Sequence, residues 1–176
     1  KTDPKFFIEI ISRTFLKESD LDGKTEEERN KLENASKISS KLYFQLEKTY
    51  IFNNFEELTN WTRDVIDLLN KIEDKDLVRI GTQKIGAMLA NAPKDPNDGI
   101  WPIKYVRDTL EEICNDNIIQ GISIGKHNSV GIRYIDRKNP GGDWENMANE
   151  FRDNAKKLRF TYPKTSDVLE HLARNF

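Results

Sequence analysis

Cysteine is almost absent from this chain of 176 residues. The single one, Cys114, excludes a disulfide framework and a cysteine-rich zinc site. Histidine is nearly as scarce, with His127 and His171 only, and no His-x-x-x-His or Glu-x-x-His pair is present. That argues against catalytic or structural zinc. No apolar run approaches the roughly 20 residues that span a bilayer, and the mean hydropathy is -0.74. No excess of one charge exists either: 28 Lys and Arg stand against 30 Asp and Glu, for a net charge of -2. A strongly basic, dedicated nucleic-acid binder is thereby disfavoured, although a local basic patch is not. What the chain has in quantity is charge, at 33% of residues against about 25% in an average soluble protein.

Most of the chain reads as helix. Asp3 and Pro4 open a first helix as cap and first-turn proline, with Phe6, Phe7, Ile10, Ile11 and Phe15 at helical spacing. Ser19 to Gly23 reads as a turn. Thr25 and Glu28 form a capping-box pattern at the start of a helix that should run to about Tyr50. Leu58, Trp61, Val65, Leu68 and Ile72 then recur in steps of three and four on a helix of about 20 residues. Two heptads favour packing in a bundle over a coiled coil. Gly81 and Gly86 interrupt the helix that follows, and close helix–helix contact is the usual compensation for such glycines.

The stretch from Asn91 to Asp98, with two prolines and Gly99 after it, is the clearest loop and the best internal boundary. It divides a helical N-terminal half, 1–92, from a C-terminal half, 93–176, the two packed as one domain. Pro102 begins another helix, with Ile103, Val106, Leu110, Ile113 and Ile118 inward. At Gly121 the pattern changes: Ile122 and Ile124, then Val130, Ile132 and Tyr134, alternate with small or polar residues. That predicts a β-hairpin over 121–136. Trp144, Ala148, Phe151, Ala155 and Leu158 return to helical spacing after a cap at Asp143. Thr165 or Ser166 caps a last helix. The fold expected is mainly α, a bundle-like domain of about seven helices with one hairpin.

The segment from Gly121 to Trp144 holds five of the nine glycines. A glycine-rich turn entering a helix can bind an anion through free N–H groups and the helix dipole. Gly141 and Gly142 have that outline, but the Asp143 carboxylate already competes for the same donors, and neither the P-loop nor the dinucleotide spacing is matched. Arg133 and Arg137 share one face of the expected hairpin and, with Lys126, Lys138 and Tyr134, make a small basic and aromatic surface suited to phosphate or to an acidic partner. His127 and Asn128 sit at its expected tip. The candidate binding residues are therefore His127, Asn128, Arg133, Arg137, Gly141, Gly142 and Trp144. The bland alternative is a hairpin bend with a solvated face. Cys114 beside Ile113 reads as a small buried apolar residue, and Asp108, Glu111 and Glu112 as a solvated helix face, not a paired-carboxylate site.

The order Gly121, Gly125, Asn128-Ser129, Gly131, Arg133, then Gly141-Gly142, Glu145 and Pro163-Lys164-Thr165, resembles an arrangement that recurs at the C-terminal ends of uncharacterised bacterial proteins. The resemblance implies the C-terminal part of a larger bacterial protein and carries no activity. The free cysteine and the heavy use of Lys, Asn, Asp and Glu point to the cytoplasm. The leading expectation is a non-catalytic helical protein-interaction module, with a protein partner or the rest of a larger chain as its partner, no cofactor, no metal and no membrane. The alternative is a domain contacting nucleic acid or a nucleotide through the segment 121–143.

Overall fold

A computed structural model describes residues 3–48, 52–130 and 142–176. These residues form eight α-helices and one 3-10 turn: α1 (Pro4–Thr14), the turn Glu18–Leu21, α2 (Glu26–Lys48), α3 (Phe55–Leu69), α4 (Lys75–Leu89), α5 (Lys104–Ile113), α6 (Asp116–Val130), α7 (Gly142–Leu158) and α8 (Pro163–Asn175). The helical class expected from the sequence holds, and among the described residues no strand occurs. No described helix is long and apolar enough to cross a membrane.

The helix starts follow local chemistry. Asp3 accepts from the Lys5 amide at 2.8 Å, and Asn54 accepts from Glu57 at 2.9 Å. Thr25 and Glu28 exchange the two bonds of a capping box. Gly23 ends the preceding turn at φ 73°, a left-handed conformation that costs a side-chain-bearing residue about 1–2 kcal/mol. On α3 the buried apolar positions are Leu58, Trp61, Val65 and Leu69, with Thr59 and Thr62 buried beside them and Leu68 half-buried. The stripe thus follows the 3.6-residue period of a straight bundle helix, not a 3.5-residue seam.

The expected hairpin is corrected. Residues 121–130 belong to α6, and the residues of its second strand, 131–136, lie outside the described residues. The apparent alternation is half of a helical pattern: Ile118 and Ile122, one turn apart, are buried, while Ile124 is exposed. The glycines that resembled turn residues are contact points. A Cβ on Gly121 would strike the Gln83 carbonyl, one on Gly86 would strike the Ile118 carbonyl, and one on Gly125 would lie 2.6 Å from the Ala90 Cβ. Helices α4 and α6 consequently pack backbone to backbone. Ile118 belongs to this helix and not to α5, because Asn115 interrupts the run by accepting from the Ile118 amide at 3.1 Å.

Two further boundaries move. Pro102 precedes α5, which begins at Lys104, and the Trp101–Pro102 peptide is cis. Helix α8 begins at Pro163, not at Thr165 or Ser166; those side chains instead bond Glu111 and the Ala155 carbonyl. Helix α7 pairs closely with α8, and α3 bridges α1 to α5. One cluster of buried residues runs from Phe7 and Leu58 through Ile85, Leu110 and Ile122 to Phe151 and Leu169.

Candidate functional site

The helical period of α6 and α8 places one polar stripe from each on the two walls of an open groove. Ile119, Ser123 and His127 come from α6, and Pro163, Asp167, Glu170, His171 and Arg174 from α8. The end of α7 adds Ala155 and Lys156, with Arg159 beyond it. The cavity volume is about 1200 Å³. Its lining includes apolar surface from Ile119, Ile124 and Pro163, of which Ile124 is 44% exposed. Arg159, Arg174, Asp167 and Glu170 carry no ion pair among the described residues. Both histidines of the chain line this groove, although they lie 44 positions apart (171 − 127).

His127 is held at the meeting of two helix ends. Its Nδ1 lies 2.8 Å from the Ser123 carbonyl, one turn back on α6, and its Nε2 lies 3.2 Å from the Asn175 carbonyl at the end of α8. The ring stacks on Phe176, with centroids 4.2 Å apart and planes at 16°. Phe176 in turn stacks on Trp144 at 5.3 Å. The stack on Phe176 holds one face of the ring, and a ring N–H donating to one of these carbonyls holds an edge. His171 is pushed below its ordinary pKa, first by burial and then by the Arg174 charge, which favours its neutral form.

The residues named from sequence divide into three sets. His127 and Trp144 come together, as parts of one aromatic stack. Asn128 is exposed on α6 beside His127, and Gly142 is buried at the start of α7 with Asp143 inside the first turn. Arg133, Arg137 and Gly141 lie outside the described residues. Sequence reasoning missed Ser123, Glu170, His171, Arg159 and Arg174 as groove residues. The signal was the i, i+3, i+4, i+7 spacing of 120, 123, 124 and 127, which becomes visible only when that segment is read as helix.

The acidic residues of α5 join elements. Glu111 accepts from the amides of Lys164 and Thr165, Glu112 pairs with Arg63, and Asp108 accepts from Lys104 and from the Tyr162 hydroxyl. Burial pushes the Cys114 thiol up to about 11, so it is protonated and a poor nucleophile near neutral pH. Among the described residues no group of three His, Cys, Asp or Glu side chains is placed to hold a metal ion. No protein family model, curated protein or solved structure matches this chain.

Proposed function

We propose that the chain is a non-catalytic helical interaction module, part of a larger cytoplasmic bacterial protein, and that a protein partner docks in the groove between α6 and α8. The observation that carries this reading is the groove's composition. Apolar surface at Ile119, Ile124 and Pro163 lies among charges of both signs that carry no ion pair among the described residues. An apolar strip supplies the area term of binding, while opposed charges at its margins select orientation and partner. A segment with an apolar ridge flanked by one acidic and one basic side chain fits that pattern, as amphipathic helices do in grooves of this kind.

Selection of displayed peptides against the whole chain tests the reading. The expected outcome is a set of amphipathic sequences whose affinity falls at least about tenfold with Ile124→Arg and with Glu170→Arg, each in the range of a substituted interface hot spot. Phe44→Ala, at an exposed position of α2 outside the groove, should leave their affinity unchanged. Enriched sequences indifferent to both groove substitutions overturn it. Salt-sensitive binding of a single-stranded oligonucleotide in place of any peptide favours the nucleic-acid reading.

A further inference from the structure

Both nitrogens of the His127 ring face backbone carbonyls. Nδ1 lies 2.8 Å from the Ser123 oxygen on α6, and Nε2 lies 3.2 Å from the Asn175 oxygen on α8. A carbonyl oxygen only accepts. A neutral imidazole has one N–H, so it serves one of these oxygens and turns a lone pair toward the other. The imidazolium ion donates to both. The hydrogen bonding of the ring is thus complete in the charged form and half-complete in either neutral tautomer.

The surroundings suit the charged form. The Asn175 carbonyl lies at the end of α8, where carbonyls lack an intrahelical donor and the helix dipole favours a cation. The Phe176 ring stacks on the imidazole at 4.2 Å, and a phenyl face attracts a cation. The ring is exposed, so charging it carries little desolvation cost. The charged groups on the adjoining elements are of both signs. They are Lys126 on α6, Asp143 and Glu145 in the first turn of α7, and Glu170, His171 and Arg174 on α8. Lys126, Arg174 and a protonated His171 oppose a further cation, while the carboxylates favour it. Neither ring nitrogen bonds a carboxylate among the described residues, so the two carbonyls and the phenyl face set the preference.

We infer that His127 is a proton-operated latch between α6 and α8. A proton taken from water gives the ring its second N–H, and that N–H completes the link between the two helices. Loss of the proton opens one of the two bonds. The Ser123 bond joins residues one turn apart, whereas the Asn175 bond spans 48 positions, so the Asn175 bond is the one released. The end of α8 then keeps its Phe176-to-Leu172 amide bond and the Phe176 stack on Trp144. The latch rests on the geometry of the ring and is independent of what occupies the groove.

An ordinary histidine changes charge near pH 6.5, so the latch is closed in mild acid and open in mild base. Hydrogen exchange of the Arg174, Asn175 and Phe176 amides at pH 5.5 and pH 8, corrected for the intrinsic effect of pH, tests this. The α3 amides serve as the internal reference. Protection of the three amides relative to α3 should fall at least about threefold from pH 5.5 to pH 8, the scale of a cation at a helix C-terminus. His127→Gln supplies one donor at every pH, so it should remove the step and hold protection at the low value. His171→Gln should keep the step. The wild-type comparison needs no variant, so it decides the matter even if His127→Gln loosens α3 as well. Protection that is flat with pH, or a step that survives His127→Gln, overturns the inference. So does protection that rises with pH, the sign expected from His171, whose neutral form the fold favours.

Discussion

Arg107 is 2% exposed, and its guanidinium holds a whole loop in place. Nε donates to the Pro102 carbonyl at 2.6 Å, Nη2 to the Ile100 carbonyl at 2.5 Å, and the two terminal nitrogens form a fork on Asp98 at 2.6 and 2.9 Å. Arg107→Ala removes the Arg107 donor from the buried Pro102 carbonyl, leaves the Ile100 carbonyl with the Asp95 amide at 3.0 Å, strips the fork from Asp98 and empties a large volume. It should cost about 3 kcal/mol, read as a lower urea midpoint. The same fork draws Asp98 down to about 2 from its ordinary 3.8, with burial opposing. A carboxylate depressed in the folded state adds stability above its unfolded pKa and loses it as the pH falls toward the folded one. The Asp98 contribution should therefore be whole above pH 4 and vanish between pH 4 and 2. With its side chain 42% exposed, solvent screening limits it to about 1 kcal/mol. Urea titrations of Asp98→Asn should show a flatter acid limb over that window. His171, depressed by burial and by Arg174, gives a separate loss that begins as the pH drops below 6.5. The Asn91–Gly99 segment was legible as a loop from its prolines and glycine. Its rigidity was not, because the arginine that organises it stands nine residues beyond Asp98.

At the scale of elements, the contact between α4 and α6 decides the C-terminal half. Gly86 and Gly121 each face backbone of the other helix, so a methyl group has nowhere to go unless the helices part. Gly121→Ala gains about 1 kcal/mol of helix propensity but forces apart a backbone contact. The net cost should be about 2 kcal/mol or more. Gly23→Ala has open space and a positive φ, so it should cost only about 1 kcal/mol, through strain alone. Thermal melts of the two variants compare these mechanisms; equal losses would contradict the close packing. In this pair of helices the sequence pattern of 121–130 suggests a strand where the structure has a helix. A glycine every four residues marks either turns or a helix face pressed on another helix, and local sequence does not distinguish them. Gly86 shows the same ambiguity resolved correctly, since the strong apolar period around it, with Ile85, Met88 and Leu89 all buried, already required a helix.

For the whole molecule, the buried cluster contains residues from both sides of the loop at 91–99. Thr59 and Thr109 share a buried hydrogen bond at 2.9 Å between α3 and α5, and the Tyr105 hydroxyl donates to the Phe52 carbonyl at 2.8 Å. Trp61, Trp101 and Trp144 report from α3, the loop and α7. In variants that keep one tryptophan each, the fluorescence midpoint in urea should coincide with that variant's own loss of helical circular dichroism, as one cooperative transition requires. Two separated midpoints would mean that the loop divides two independently stable halves. The candidate groove also belongs to this scale. His127 and His171 meet in it because the last turns of α6 and α8 adjoin, not because of any spacing between them in the chain.

The helical class, the caps at Asp3 and Thr25 and the apolar stripes of α3, α7 and α8 were legible in the sequence, while the cap at Asn54 was not. Each legible feature depends on neighbours within one or two turns, and local chemistry is complete at that range. Tertiary structure alone decided that Gly121 and Gly125 serve a helix contact, that the α5 carboxylates join elements, and that the His127 ring meets the end of α8. Each of these depends on which backbone or charge arrives from another element, and that is set by how the apolar stripes of all the helices share one core.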